Sequence, residues 1–460
     1  MQDLTQGSIP AHIARFAAFI FATMLFQTLY FLVDLYFVGQ VGTEAVAAVS
    51  IAGNLMFLVM AVTTALGVGT TTLVSQAIGA KDEAGAEHAV NQSQVLSLLV
   101  GGAFGLLAFA GRQEFAAAFA ADAPTAALVV AYLDWFIPAL VLQFAMVAAV
   151  SALRGAGDVK FASLVQVATV LINVALAPVL VAGWGTGRPL GVAGAGLATF
   201  IAVTVGTVWV LWAFTRPGAR LHIHVFDGKA GGGADLALWR RILAIGAPAG
   251  GEFLMMSVLL GVLQAILADQ GADAQAGFGV GLRLMQAIFL PAMAVAFALA
   301  PIAGQNVGAR NAARVRECFR VGLIGSGAVM LVATGVAHLA PEALVGAFAR
   351  DPGAAAVGVE YIRIVSYIFV GNGVIFAAAG MFQAFGNTLP SLIASAARVL
   401  VYAVAAVWAA QQPWFELRHL WCLSVVTVAL QMLLVLWFLR REMRSRLTAM
   451  TQERIPPEPA

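Results

Sequence analysis

A run of about twenty apolar residues is long enough to cross the hydrocarbon core of a bilayer, and this 460-residue chain contains twelve of them in succession. They extend from 13–38 to 419–439, broken by Gly, Pro and clusters of charge. In lipid, backbone amides must be bonded within the segment or around a closed barrel. The ten-residue alternating segments of a barrel are absent, so the sequence predicts an all-α membrane protein. Only 10% of the residues are charged and 61% are hydrophobic, too little charge to solvate a water-soluble fold of this size. A net charge of +2 leaves no basic domain for nucleic acid. Cys318 and Cys422 lack CxxC spacing and suggest neither a disulfide framework nor a metal site. The first apolar run is too long for a secretory signal and is expected to be a retained span.

Placing both termini on one side of the membrane puts eighteen of the 25 Lys and Arg residues there, four on the opposite side and three (Arg283, Arg363 and Arg398) within spans. That bias makes both termini cytoplasmic, in a plasma (inner) membrane. The stretch 216–238, with Pro217, His222, His224 and the Gly231-Gly232-Gly233 run, reads as a linker. It separates a first lobe, 1–215 with six spans, from a second, 239–440 with six more, followed by a tail at 441–460. Sliding the second half over the first by 229 residues, without gaps, pairs Gly42 with Gly271, Gln76 with Gln305, Phe119 with Phe348, Asp122 with Asp351, Tyr132 with Tyr361 and Gly157 with Gly386. A six-span repeat returns the chain to its starting side, so the lobes are expected to be related by a pseudo-twofold axis along the membrane normal. Transporters built this way alternate access around a site between repeats.

Ionisable residues within spans are costly and mark functional sites by default. Asp34 follows Thr23, Gln27 and Tyr30 on one helical face. Two roles are open to it. It can exchange a proton, with proton and cation competing for the carboxylate in an antiport cycle, or it can be an anchoring, hydrogen-bonded aspartate. Glu252, four residues after Pro248, is the only acid in the body of the second lobe's spans, and either binds a cation or pairs with Arg240 or Arg241. Gln166, Thr169 and Asn173 form a second polar stripe, which makes Asn173 a candidate partner of Asp34. Asn372 and Gln143, equivalent in the repeat, are interhelical hydrogen-bonding residues or ligands. Arg283 is expected to pair with Asp34 or Glu252; unpaired, it would admit anionic or zwitterionic substrates. Glu360 and Arg363, three apart, are expected to pair locally, with Asp134 on the equivalent rim. Met255, Met256, Met285 and Met293, with Phe26, Phe31 and Phe57, either line a site for flat cations or simply pack. His222-Ile223-His224 has no third ligand nearby and reads as solvated linker. Arg440 to Arg446 is expected to anchor to anionic lipid. No Walker A, Ser-His-Asp or HExxH pattern supports an enzyme.

Several segments resemble a family signature: Asp34-Leu35-Tyr36-Phe37-Val38-Gly39-Gln40-Val41-Gly42, Ser75-Gln76-Ala77-Ile78-Gly79-Ala80-Lys81-Asp82, Leu153-Arg154-Gly155-Ala156-Gly157-Asp158, Gly191-Val192-Ala193-Gly194-Ala195 and Gly304-Gln305-Asn306-Val307-Gly308-Ala309. In this order across nearly the whole chain they resemble the multidrug and toxic compound extrusion (MATE) transporters. The resemblance implies a twelve-helix, two-lobe, V-shaped antiporter that exports organic cations and amphipathic toxins against H+ or Na+. It implies no other cofactor, small-molecule substrates and membrane lipids as partners, and a monomer. Asp34 stands at the place of the family's ion-coupling aspartate. An acid that some members carry four residues after the fifth-span asparagine is Ala177 here. One branch has acids where this chain carries Met256 and Asn372. H+ coupling through Asp34 is therefore expected over a second-lobe Na+ site. The alternative is a flippase for lipids or lipid-linked oligosaccharides, for which Arg283 and Arg398 are the only in-span phosphate ligands.

Overall fold

A computed structural model describes residues 2–185, 187–216, 221–223, 234–349 and 351–452; the side chains of Phe31, Leu32, Asp34, Leu35, Asn54, Phe57 and Gln452 lie outside the description. The described chain is helical: α1 (Ile9–Val41), α2 (Thr43–Gly79), α3 (Glu83–Ala110), α4 (Arg112–Phe119), α5 (Ala123–Gly155), α6 (Val159–Val181), α7 (Gly191–Ala213), α8 (Leu236–Ala268), α9 (Ala272–Gly308), α10 (Ala312–Leu339), α11 (Pro341–Gly346), α12 (Pro352–Val365), α13 (Phe369–Phe385), α14 (Leu389–Ala410) and α15 (Leu417–Gln452). Twelve spans are long and apolar enough to cross a membrane, with α12 and α13 forming one across a 3-10 turn at Ser366–Ile368. Large apolar side chains stand exposed along them, as at Leu106, Leu107 and Val332, the arrangement that a lipid solvent requires.

The repeat is visible in where helices begin and how they are capped. α2 and α9 each run for 37 residues, from positions 43 and 272, after Gly42 and Gly271 at φ 147° and 97°. α3 and α10 each have 28 residues and start after side-chain caps, Asp82 on the Gly85 amide and Asn311 on the Arg314 amide. Asp122 and Asp351 cap α5 and α12. Thr125 hydrogen bonds hold the Asp122 carboxyl below the usual carboxylate range. Even Lys81 and Arg310, 229 apart, share a left-handed backbone, at φ 62° and 53°.

The chain forms two compact units, and their limits differ from the lobes expected from sequence. The first comprises Met1–Asp3 and Phe19–Gly250; the second comprises Leu4–Ala18 and Gly251–Ala460. Helices α1 and α8, equivalent in the repeat, are thus each divided between units. Small residues explain α8. Gly246 and Gly250 leave no space for a Cβ against the carbonyls of Ala65 and Ala61, and Gly69 likewise meets Ile242. A small residue every fourth position lets two helix backbones approach closely. Polar contacts explain the start of the chain. In the second unit Gln305 accepts from the Leu4 amide at 3.0 Å, Asn306 donates to the Leu4 carbonyl, and Arg314 donates to the carbonyls of Gly7 and Leu4.

His222 of the linker and the described part of the tail differ from the sequence expectation. His222 pairs with Glu87 at 3.0 Å and the Asn91 amide donates to its carbonyl, so it belongs to the first unit rather than to solvent. His224 lies outside the described residues. The expected tail is helical as far as Gln452; Leu447 and Met450 are buried, and Asn387 donates to Glu442.

Candidate functional site

In the first unit, the close approach of α7 to its neighbours places the polar groups. A Cβ on Gly194 would overlap the Leu180 carbonyl, one on Gly196 would press on the Tyr132 carbonyl, and one on Gly206 would strike the Thr169 hydroxyl. With those side chains absent, Thr199 on α7 reaches both α6 and α1. Asn173 Nδ2 donates to Thr199 Oγ1 at 3.1 Å, and the Tyr30 hydroxyl lies 3.2 Å from the same oxygen. Thr199 Oγ1 donates to its own helix at Ala195. The carboxamide oxygen of Asn173 is enclosed and accepts no hydrogen bond, an expensive state for a buried acceptor. Asp34 follows Tyr30 by one turn of α1, about 6 Å along the axis, and is the only acid on α1, α6 and α7.

Of the residues predicted from sequence, the first unit therefore unites Tyr30 and Asn173 on adjacent helices. The side chain of Asp34 lies outside the described residues. Gln27 is exposed and outside this network, while buried Thr23 bonds its own helix at Phe19. Gln166 is engaged elsewhere, accepting from Arg154. Thr199 is the residue that the sequence reading missed. Its signal, a hydroxyl on the small-residue face of α7, resembles that of Thr204 and Thr207, which also bond their own helix.

The second unit holds the other candidates apart. Glu252 faces Ser391 on α14, not Arg240 or Arg241. Those arginines precede it on α8 by more than three turns, about 17 Å. Met256 is exposed. Asn372 is buried and donates to Ile368 in its own helix, a packing role. Arg283 is exposed and has no ion-pair partner among the described residues, so it does not pair with Glu252; the side chain of Asp34, the other expected partner, lies outside them. Arg363 pairs across helices with Glu342, not locally with Glu360. A short α11 brings Glu342 beside α12, a proximity that spacing along one helix does not reveal.

The equivalent rim of the first unit carries the inverse pair. Arg112 donates to Asp134 at 2.7 Å, while its guanidinium lies over the Phe109 ring. Position 134 is acidic where 363 is basic. The contact is retained with its polarity reversed.

A six-span repeat occurring twice in the chain, with intramembrane polar groups enclosed in each unit, defines a polytopic membrane protein of the internally duplicated transporter class. The chain belongs to the MatE family, whose profile matches residues 20–179 and 248–408. It is 25% identical over 439 residues to the probable multidrug resistance protein YoeA of Bacillus subtilis, covering 93% of this chain and 91% of that one. It is 25% identical over 366 residues to the multidrug export protein MepA of Staphylococcus haemolyticus, covering 79% and 78%. To an FAD transporter of Shewanella oneidensis it is 24% identical over 378 residues, covering 80% and 81%. Among solved structures, a MATE protein in the bent conformation superposes with a TM-score of 0.90 at 22% identity, over 97% of this chain and 98% of that chain. An outward-facing multidrug resistance MATE family transporter gives 0.88 at 22% identity, over 96% and 98%. The fold is that of the MATE transporters.

Proposed function

We propose that the protein is a secondary active antiporter that exports organic cations, drugs or other amphipathic toxic compounds in exchange for H+, with Na+ as the other candidate ion. The observation that carries this reading is the Tyr30, Thr199 and Asn173 network, one helical turn from Asp34 and ending in an unsatisfied carbonyl oxygen. A carboxylate one helical turn from fixed hydroxyl and amide groups can bind a proton or a small cation and release it when the network rearranges. Relatives named for multidrug resistance and export support the substrate class. The bias of Lys and Arg to one side supports cytoplasmic termini. A proton crossing about 100 mV supplies about 2.3 kcal/mol, enough for more than tenfold accumulation in an electrogenic exchange.

Inside-out vesicles with a cationic dye in the external medium test this reading under separately imposed proton and sodium gradients. Dye uptake should follow the proton gradient, and Asp34→Asn should retain less than about a tenth of it, the factor lost with about 1.4 kcal/mol of coupling. Full uptake by that variant would remove Asp34 from coupling. Uptake that follows neither gradient would remove the antiporter reading.

A further inference from the structure

The second unit contains an unneutralised cation deep in a span. Arg398 is the tenth of 22 residues in α14, about 14 Å from its start. A guanidinium at that depth is costly unless an acid, an anion or water compensates it. No acid pairs with it among the described residues; the titratable groups that act on its charge are the phenols of Tyr361 on α12 and Tyr402 on α14. Glu252 meets α14 at Ser391, two turns away. Arg154 and Arg216 also have an enclosed Nε, but Arg154 stands in the last turn of α5, where the helix C-terminus offers negative potential, and Arg216 lies beyond the end of α7 with its guanidinium over the Trp212 ring. Arg398 lies in mid-helix and has no such compensation.

Hydrogen bonding around Arg398 leaves donors in excess. Its Nη1 donates to Gln431 Oε1 at 3.2 Å, and Gln431 Nε2 donates to Ser395 Oγ at 2.9 Å, which fixes the guanidinium plane. The Tyr402 hydroxyl donates to the Leu420 carbonyl. Arg398 Nε is enclosed without an acceptor, and so is the indole Nε1 of Trp421, whose ring packs on Tyr361. Nε–H and Nη2–H lie on one edge of the guanidinium, with the geometry that receives two oxygens of one carboxylate. The side chain as a whole is half-buried, and its Nε is enclosed, so a carboxylate reaches that edge by displacing the groups that cover Nε.

We infer that Arg398, oriented by Gln431 and Ser395, forms an anion site within the second unit, and that its ligand is the carboxylate of an amphipathic compound. A monoanion neutralises one guanidinium, whereas a doubly charged phosphate would leave a net charge in the same low-dielectric setting. The transport part of this inference rests on the export reading; the site itself does not.

The purified full-length protein, in chloride-free buffer, is melted with benzoate, benzamide or chloride. Benzoate should raise the melting midpoint saturably, and benzamide should not. Arg398→Gln should abolish the effect and Arg398→Lys should keep part of it. Gln431→Glu supplies an internal carboxylate; it should melt higher without ligand and lose the benzoate response, which provides a test in a protein that folds. A benzoate shift that survives in Arg398→Gln or Gln431→Glu overturns the site, and so does equal protection by benzamide or chloride. In vesicles, Arg398→Gln should slow export of a zwitterionic fluoroquinolone about tenfold relative to its methyl ester, the equivalent of one charge-assisted hydrogen bond, and spare ethidium. Equal loss of all three means a purely structural arginine and overturns the substrate role. Export of none by the wild type would remove the export reading while the benzoate result stands.

Discussion

The two units share a backbone plan and differ in what they enclose. At equivalent positions of α6 and α14 the first unit has Gln166, Thr169 and Asn173, and the second has Ser395, Arg398 and Tyr402. Thr199, which joins Tyr30 to Asn173, has Val428 as its counterpart, and Tyr30 has Leu259. One centre ends in an unsatisfied acceptor, the Asn173 carbonyl, and the other in an unsatisfied donor, the Arg398 Nε–H. Duplication therefore conserved the caps and glycines that shape the helices while the enclosed chemistry diverged in polarity. A helix start imposes backbone requirements that few residues meet. An interior polar position requires only that its partners match.

Exchanging residues between the units tests that division. The largest effect is expected from Gly194→Leu, which gives α7 the residue that α15 carries at position 423. The new side chain would collide with the Leu180 carbonyl, and overpacking of this kind costs about 1–3 kcal/mol or more. Folded protein recovered after membrane extraction should fall sharply; normal recovery would show that α6 and α7 are not held by backbone contact. Thr199→Val, which copies Val428, should fold normally but leave the Asn173 amide without its acceptor and remove the Tyr30 contact, at about 1–3 kcal/mol. Proton-driven export should drop about tenfold, and a full rate would separate the network from coupling.

Smaller effects concern the surface. Asp134→Arg opposes Arg112 with a like charge and should lower stability by up to about 1 kcal/mol. Adding Arg112→Glu recreates the polarity of the Glu342 and Arg363 pair and should restore the melting midpoint; a double variant no better than the single one would deny that the rim tolerates either sign. The smallest effect is a pH dependence at the linker. Hydrogen bonds from His88, then from the Leu238 amide, hold the Asp235 carboxyl below its ordinary value of 3.8. A lowered folded pKa means that this stabilisation is present above the unfolded value and fades as pH falls below about 4 through the folded one. Protease cleavage of the linker should rise there in the wild type and be pH-independent in Asp235→Asn; identical profiles would show that this contact does not secure the segment.

The spans and the repeat register were legible because both rest on local demands: a run long enough for the bilayer, a glycine at positive φ, an aspartate at a helix start. Tyr30 and Asn173 were legible as polar residues on apolar faces. Thr199 was not, because a threonine satisfied by its own helix costs little and sends no signal. Three-residue spacing joined Arg363 to Glu360, yet the partner came from α11, a contact that needs the tertiary fold. The divided α1 and α8 were equally hidden, since nothing in a continuous apolar run marks where its neighbours change.

That division bears on how the chain is made. Residues enter the membrane in order, yet the first unit includes α8 as far as Gly250, beyond the linker. It cannot be completed when α7 leaves the ribosome and must wait, with Gly69 and Ala65 uncovered, for the opening turns of the eighth span. The second unit takes in residues 4–18, synthesised before all of its other helices, so that segment must be held in reserve until α9 and α10 exist. Biogenesis of this chain is a mutual completion rather than two successive foldings, and a half-length product ending in the linker would expose the backbone surfaces that membrane quality control can recognise.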